Sequence, residues 1–168
     1  MIRIFLLTLF FLGCQYQAPK PYAALALHYP AAQYNDFKPN ACSYRFKYNV
    51  VSTPVQLSSC GTTLDYSLLK AKVYVTYFDL SKTSLDTLFR EFENRLKIFG
   101  KGTQRSNEST YEDKEKDVLG SCVTLIGNSP SNLHFFATDT KRHFISGSLL
   151  FSAAPNYDSL APAIGYIR

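Results

Sequence analysis

The sequence predicts an α+β fold: one domain, mainly an antiparallel β-sheet, covered by one long amphipathic helix and closed by a short C-terminal helix. Three observations lead there. Short runs alternate apolar and polar residues, the mark of half-buried strands. Several of these runs follow one another directly, with no helix between, which argues against a doubly wound parallel sheet. One stretch changes to three- and four-residue apolar spacing, the mark of a helix with one buried side. The 12 Tyr and 13 Phe, with no Trp, suit pleated, half-buried surfaces.

The chain opens on a predicted lipoprotein signal peptide, residues 1–13. Arg3 supplies a positive charge, and Ile4 to Leu12 is an unbroken apolar run apart from Thr8. That run is far shorter than the about 20 residues needed to span a bilayer, so it reads as a cleaved signal. Phe11-Leu12-Gly13-Cys14 then resembles a lipobox, with Cys14 as the lipidation site. The expected group there is a diacylglyceryl plus an N-acyl chain, such as palmitate, and no other cofactor is expected. Several acyl chains anchor far better than one, at about 0.8 kcal/mol per buried methylene. Gln15, not Asp, follows Cys14, so no inner-membrane retention signal is present. The expected location is extracytoplasmic, on the periplasmic face of the outer membrane, with the inner membrane as the alternative.

Residues 14–21 form a polar tether with Pro19 and Pro21, and residues 22–168 form the domain. Removing Arg3 leaves 17 basic against 13 acidic residues, a mature charge of +4. The basic residues form no single stripe, which argues against nucleic-acid binding. Tyr22 to Tyr29 reads as a first strand stopped by Pro30, and Ala31 to Ala41 as irregular. Ser43 to Tyr48 alternates, with Tyr44, Phe46 and Tyr48 on one side. Asn49 to Thr63 is rich in Ser, Thr and Pro and reads as a loop. Cys42 and Cys60 flank it and read as a disulfide, which would contribute roughly 3 kcal/mol by loop closure. Pairing of either with Cys122 is the alternative; Cys122 itself sits in an apolar run and reads as a buried free thiol.

Leu68 to Phe78 is the strongest strand, with Leu69, Ala71, Val73, Val75 and Tyr77 on one face. Asp79 to Thr83 turns the chain. A helix follows over about 84–99, with Leu85, Leu88, Phe89, Phe92, Leu96 and Phe99 along one side. Thr83 and Asp86 resemble a capping box, and Gly100 is placed to end the helix. The helix is expected to cover the apolar face of the sheet. Lys101 to Asp117 is charged, almost without apolar residues, and reads as a loop. Val118 to Gly127 is a strand, and Leu133 to Thr138 and His143 to Phe151 form a hairpin. Tyr157 to Ile167 is the short last helix.

No nucleophile elbow, phosphate loop or dinucleotide fingerprint is present. His134 and His143 could meet across the hairpin, but no third metal ligand is evident. Cys122 with a histidine could form a catalytic pair, although an apolar strand disfavours its thiolate. No catalytic or metal site is therefore assigned. Asp139, Lys141 and Arg142 at the hairpin tip are candidate docking residues, or an ordinary turn. Asn156 and Asp158 are further docking candidates, or caps of the last helix. A pocket lined by Tyr44, Phe46, Tyr74 and Phe136 would instead make the protein a small-ligand or peptide-binding lipoprotein.

Several blocks together resemble the gliding-motility lipoprotein D (GldD) family. They include Cys14, Tyr22 through His28-Tyr29-Pro30, Cys42 through Asn49, Cys60, and Leu69 through Tyr77. Leu85 through Leu88, Phe136 through Leu149, and Pro155 through Leu160 complete them, and the last two blocks are the most specific. The chain departs from the family pattern in lacking Trp, in carrying Cys122, and in ending within the last helix. The resemblance implies a lipid-anchored, non-enzymatic component of the gliding-motility and type IX secretion machinery. Its implied partners are other envelope proteins and, through the anchor, the membrane.

Overall fold

The computed structural model describes residues 28–154 and 156–168. The predicted signal peptide, Cys14 and the tether lie outside the described residues. So does the strand expected at Tyr22–Tyr29, except for His28 and Tyr29, which are not in a strand. The described chain is an antiparallel sheet with a helix on one face, and a short arm plus a second helix on the other. Its elements are β1 (Tyr34–Phe37), β2 (Phe46–Asn49), β3 (Thr53–Gln56), β4 (Thr62–Tyr66), β5 (Ala71–Asp79), α1 (Leu85–Phe99), β6 (Thr103–Asp113), β7 (Val118–Gly127), β8 (Leu133–Thr138), β9 (His143–Phe151) and α2 (Tyr157–Ile167). The main sheet runs β3-β4-β5-β9-β8-β7-β6, and β1 pairs with β2 in a separate ribbon. All pairings are antiparallel.

The topology follows from α1. It carries the chain from central β5 to the far edge, and the meander β6-β7-β8-β9 then walks back to β5. Register fixes two faces, since side chains alternate along each strand. Val73, Val75, Leu149, Leu133 and Phe135 share one face. Phe78, Phe144, Phe136, His134 and Val123 share the other. Here the structure corrects one expectation. Helix α1 does not cover the Ala71-Val73-Val75 face; it lies on the opposite one. Leu88 and Phe92 are buried there. Phe89 and Phe92 meet the Phe136 ring edge-on at 5.2 and 5.1 Å. The Ala71-Val73-Val75 face is instead covered by the β1–β2 arm and α2, through Cys42, Tyr44 and Ile164. We call the two faces the helix face and the arm face.

Four segments read as irregular are strands. β1 lies within Ala31–Ala41 and pairs with β2, held by Phe37 against Phe46 at 5.4 Å. β3 and β4 lie in or across the end of Asn49–Thr63; the β-branched Thr62 and Thr63 are buried, and Pro54 sits on the edge strand, where its missing N–H costs least. β6 occupies most of Lys101–Asp117 and pairs with β7 along its length. It is exposed on both faces at the sheet edge, so it carries no apolar alternation. The disulfide joins Cys42 and Cys60, with Cα atoms 5.6 Å apart, and ties the arm to the β3–β4 connection. Cys122 is free and half-buried.

The α1 cap also differs. Ser84, not Thr83, is the N-cap; its Oγ accepts a hydrogen bond from the Thr87 N–H at 3.2 Å. At the other end, the Ser129 hydroxyl donates to the Phe99 carbonyl at 2.9 Å. We expect Ser84→Ala to lower stability by about 1 kcal/mol. Thr83→Ala should stay within about 0.5 kcal/mol. Urea unfolding of both variants checks this, and equal losses would refute the assignment. No side-chain cap is made by Asn156; the first amide of α2, Tyr157, donates instead to Asn128 Oδ1 at 3.0 Å.

Candidate functional site

A cavity of about 670 Å3 lies between the arm face and its cover. The sheet supplies its floor, with Val73 and Val75 from β5, Leu133 and Phe135 from β8, and Ile145 from β9. The Phe135 ring lies across Gly147, where a Cβ would come within 2.3 Å of Phe135 Cζ, so only glycine fits beneath it. The arm supplies Tyr44, Phe46 and Tyr48, and α2 brings Ile167, followed by Arg168.

A continuous aromatic stack runs from the arm onto the sheet. Phe46 stacks on Tyr44 at 6.1 Å, Tyr44 on Tyr77 at 5.6 Å, and Tyr77 packs on the His143 ring at 5.8 Å. Tyr77 Oη and His143 Nδ1 are 2.7 Å apart and share a hydrogen bond. The Tyr44 hydroxyl donates to the Cys60 carbonyl at 2.8 Å, which seats the stack on the disulfide. Burial pushes both phenols above their usual range, and for Tyr77 the Asp79 charge adds to it. Both therefore stay neutral at ordinary pH.

Sequence reasoning placed half of this wall correctly. Tyr44 and Phe46 line the cavity. Tyr74 and Phe136 do not: both are on the helix face, where Phe136 is stacked on Phe144 at 5.6 Å. Tyr77 and Tyr48 were legible as members of the correct faces, but the element covering them was not.

The possible catalytic and metal groupings do not assemble. Cys122 and His143 both line the cavity, yet the register sets them two strands and four residues apart. Strand spacing makes that roughly 16 Å at the backbone. Burial also raises the Cys122 thiol above its usual range, opposed by Arg168. It is held as the thiol, the unreactive form. His134 is on the other face, fully buried, with Nε2 against the Ser131 carbonyl at 3.1 Å. His134 and His143 therefore cannot share a metal. Among the described residues no three His, Cys, Asp or Glu side chains gather as metal ligands would.

The docking candidates fall at opposite ends of β9. Its nine residues span about 27 Å. At one end Asp139 Oδ1 accepts from the backbone N–H groups of Lys141, Arg142 and His143 at 3.1, 2.9 and 2.7 Å. These bonds hold its carboxyl below the usual range despite partial burial. Lys141 pairs with Asp117 across the neighbouring turn, and Arg142 is exposed. At the other end Asn156 and Asp158 are exposed, at the N-cap and in the first turn of α2. They form two separate surfaces.

One residue escaped the sequence reading. Arg95 sits on the buried side of α1, seven residues after Leu88 and three after Phe92. Its guanidinium donates to Ser146 Oγ at 3.1 Å, and burial lowers its pKa. The three-residue step from Phe92 was the available signal.

No curated protein sequence matches the chain. The family described as gliding motility lipoprotein GldD matches residues 14–168, from the predicted lipidation cysteine through the whole described body. The chain belongs to the gliding motility lipoprotein GldD family.

Proposed function

We propose that the protein is a lipid-anchored, non-enzymatic component of the machinery for gliding motility and the linked type IX protein secretion. It acts by docking other envelope proteins from the periplasmic face of the outer membrane. The family match carries this reading: it begins at Cys14, the residue proposed to hold the lipid, and runs through the domain. The dispersed Cys122, His134 and His143 support action without chemistry. Among the described residues no helix is long and apolar enough to cross a membrane; the proposed attachment is the lipid on Cys14. Lys141 and Arg142, projecting from a turn fixed by Asp139, are the proposed contact residues at one end, and Asn156 and Asp158 at the other.

Deleting the gene is expected to abolish colony spreading and secretion of the machine's cargo. Normal spreading and normal secretion in the deletion strain would overturn the reading. Cys14→Ala should leave the domain folded, move it from the membrane to the soluble fraction, and fail to restore the deletion strain. A soluble Cys14→Ala protein that restored spreading would show that the anchor is dispensable. Crosslinking and pull-down through a C-terminal tag, from intact membranes, then identifies the partners.

A further inference from the structure

The cavity on the arm face touches the hairpin tip at Asp139 but does not include Lys141 or Arg142, and it is built like a ligand site. Its volume of about 670 Å3 falls within the roughly 300–1,000 Å3 of small-molecule pockets and far exceeds a packing void. Its depth is hydrocarbon, from Val73, Val75, Leu133 and Ile145. Its rim is not neutral. Arg45, Lys47, Lys116 and Arg168 border it, against Asp139 as the one acidic residue. The Asp139 carboxylate is already occupied by three backbone N–H groups. Lys116 is shared with Asp113 at 2.7 Å, but Arg45 stands close enough to repel it. Arg168, after the end of α2, stands beside Cys122, and its guanidinium donates to Ser109 Oγ on β6. An apolar depth with a cationic mouth is complementary to one kind of small molecule.

We infer that the cavity binds an acyl chain ending in an anionic head, of the fatty-acid type. The chain lies along the β5, β8 and β9 floor against the Tyr44-Phe46 wall. The head sits at the rim, facing Arg45 and Arg168.

The test uses the full lipidated chain, extracted from membranes in polymer-bounded lipid discs without detergent. Three photoreactive C16 probes are compared, identical except for a carboxylate, an alcohol or a trimethylammonium head. The carboxylate probe is expected to crosslink peptides containing Cys122, Leu133 to Ala137 or Tyr44 to Tyr48. The alcohol and the cation should label these peptides several-fold less. Leu133→Trp, which fills the floor, should abolish the crosslinks. Because that variant could disturb folding, the double variant Arg45→Glu, Arg168→Glu, at exposed positions, is the second arm. It should lower carboxylate labelling roughly tenfold, leaving alcohol labelling unchanged. Equal labelling by all three heads would overturn the inference. So would crosslinks confined to other peptides, which would place the chain outside this cavity.

Discussion

Phe144→Ala is expected to cost about 4 kcal/mol, within the roughly 3–5 kcal/mol measured for truncating buried aromatic rings. Phe144 is only 1% exposed. Its ring lies between layers: stacked on Phe136 at 5.6 Å, and edge-on to Phe89 at 5.8 Å and Phe78 at 6.2 Å. Those rings come from β8, α1 and β5, so a hole at Phe144 loosens three elements together. Little can collapse into it, because the sheet below is hydrogen-bonded and the helix above is pinned at both ends. Phe144→Leu, which keeps most of the volume, should cost under about 1.5 kcal/mol. Urea unfolding reads the difference. With a slope of about 2 kcal/mol per molar, the alanine variant should lose roughly 2 M of midpoint at unchanged slope. A loss below 1 kcal/mol would mean that the ring is not sealed between helix and sheet.

Stability should also fall by about 3 kcal/mol between pH 6.5 and pH 4, through His134 alone. Burial of this imidazole lowers its pKa from 6.5 to about 4, and the neighbouring Arg95 charge acts in the same direction. Phe99 packs on its ring at 5.2 Å, and Nδ1 has no hydrogen-bond partner. The neutral form is therefore the one that folds. Above pH 6.5 the residue is neutral in both states and its contribution is complete. As the pH falls, the unfolded chain takes up a proton that the folded chain refuses, so stability drops until about pH 4. Below that both states are protonated and this loss stops growing. A shift of that size corresponds to about 3 kcal/mol. His134→Phe removes the titration while keeping a flat ring against Phe99. Its unfolding free energy should decline less steeply than the parent's over this window, with His28 and His143 common to both. Parallel declines would assign the acid sensitivity elsewhere.

The elements that sequence reasoning placed well carry buried apolar residues along their length. Val118–Gly127, Leu133–Thr138 and His143–Phe151 are strands over those ranges, and Tyr157–Ile167 is helical throughout. The missed segments fail that condition. β6 has polar residues on both sides because both sides meet water. β3 (TPVQ) and the start of β4 (TTLDY) lie in a stretch rich in Ser, Thr and Pro, and that mostly polar composition hid their pairing. Which helix covers which face was not legible either, because both faces of the central sheet are apolar where they meet a cover. Only the strand order shows that α1 must cross Phe136 and Phe144 on its way to β6. The cavity depended on that assignment. Its wall could be named from the alternation at Tyr44 and Phe46, while its floor needed the partners of β5.

The pairing of β5 with β9 has a consequence for how the chain reaches its native state. The two strands meet across separations from 64 residues, Asp79 to His143, to 80 residues, Ala71 to Phe151. Contacts so distant along the chain are late and slow to form, since the intervening segment must be ordered first. A polypeptide delivered amino end first therefore has β5 waiting, unpaired on one edge, until its last quarter has emerged. During that interval the Val73-Val75 surface and the Phe78 side are open to other chains, a standing invitation to aggregate. Such a protein should lean on holding factors during delivery. Its yield of native molecules should track how quickly synthesis and transport finish the carboxyl end.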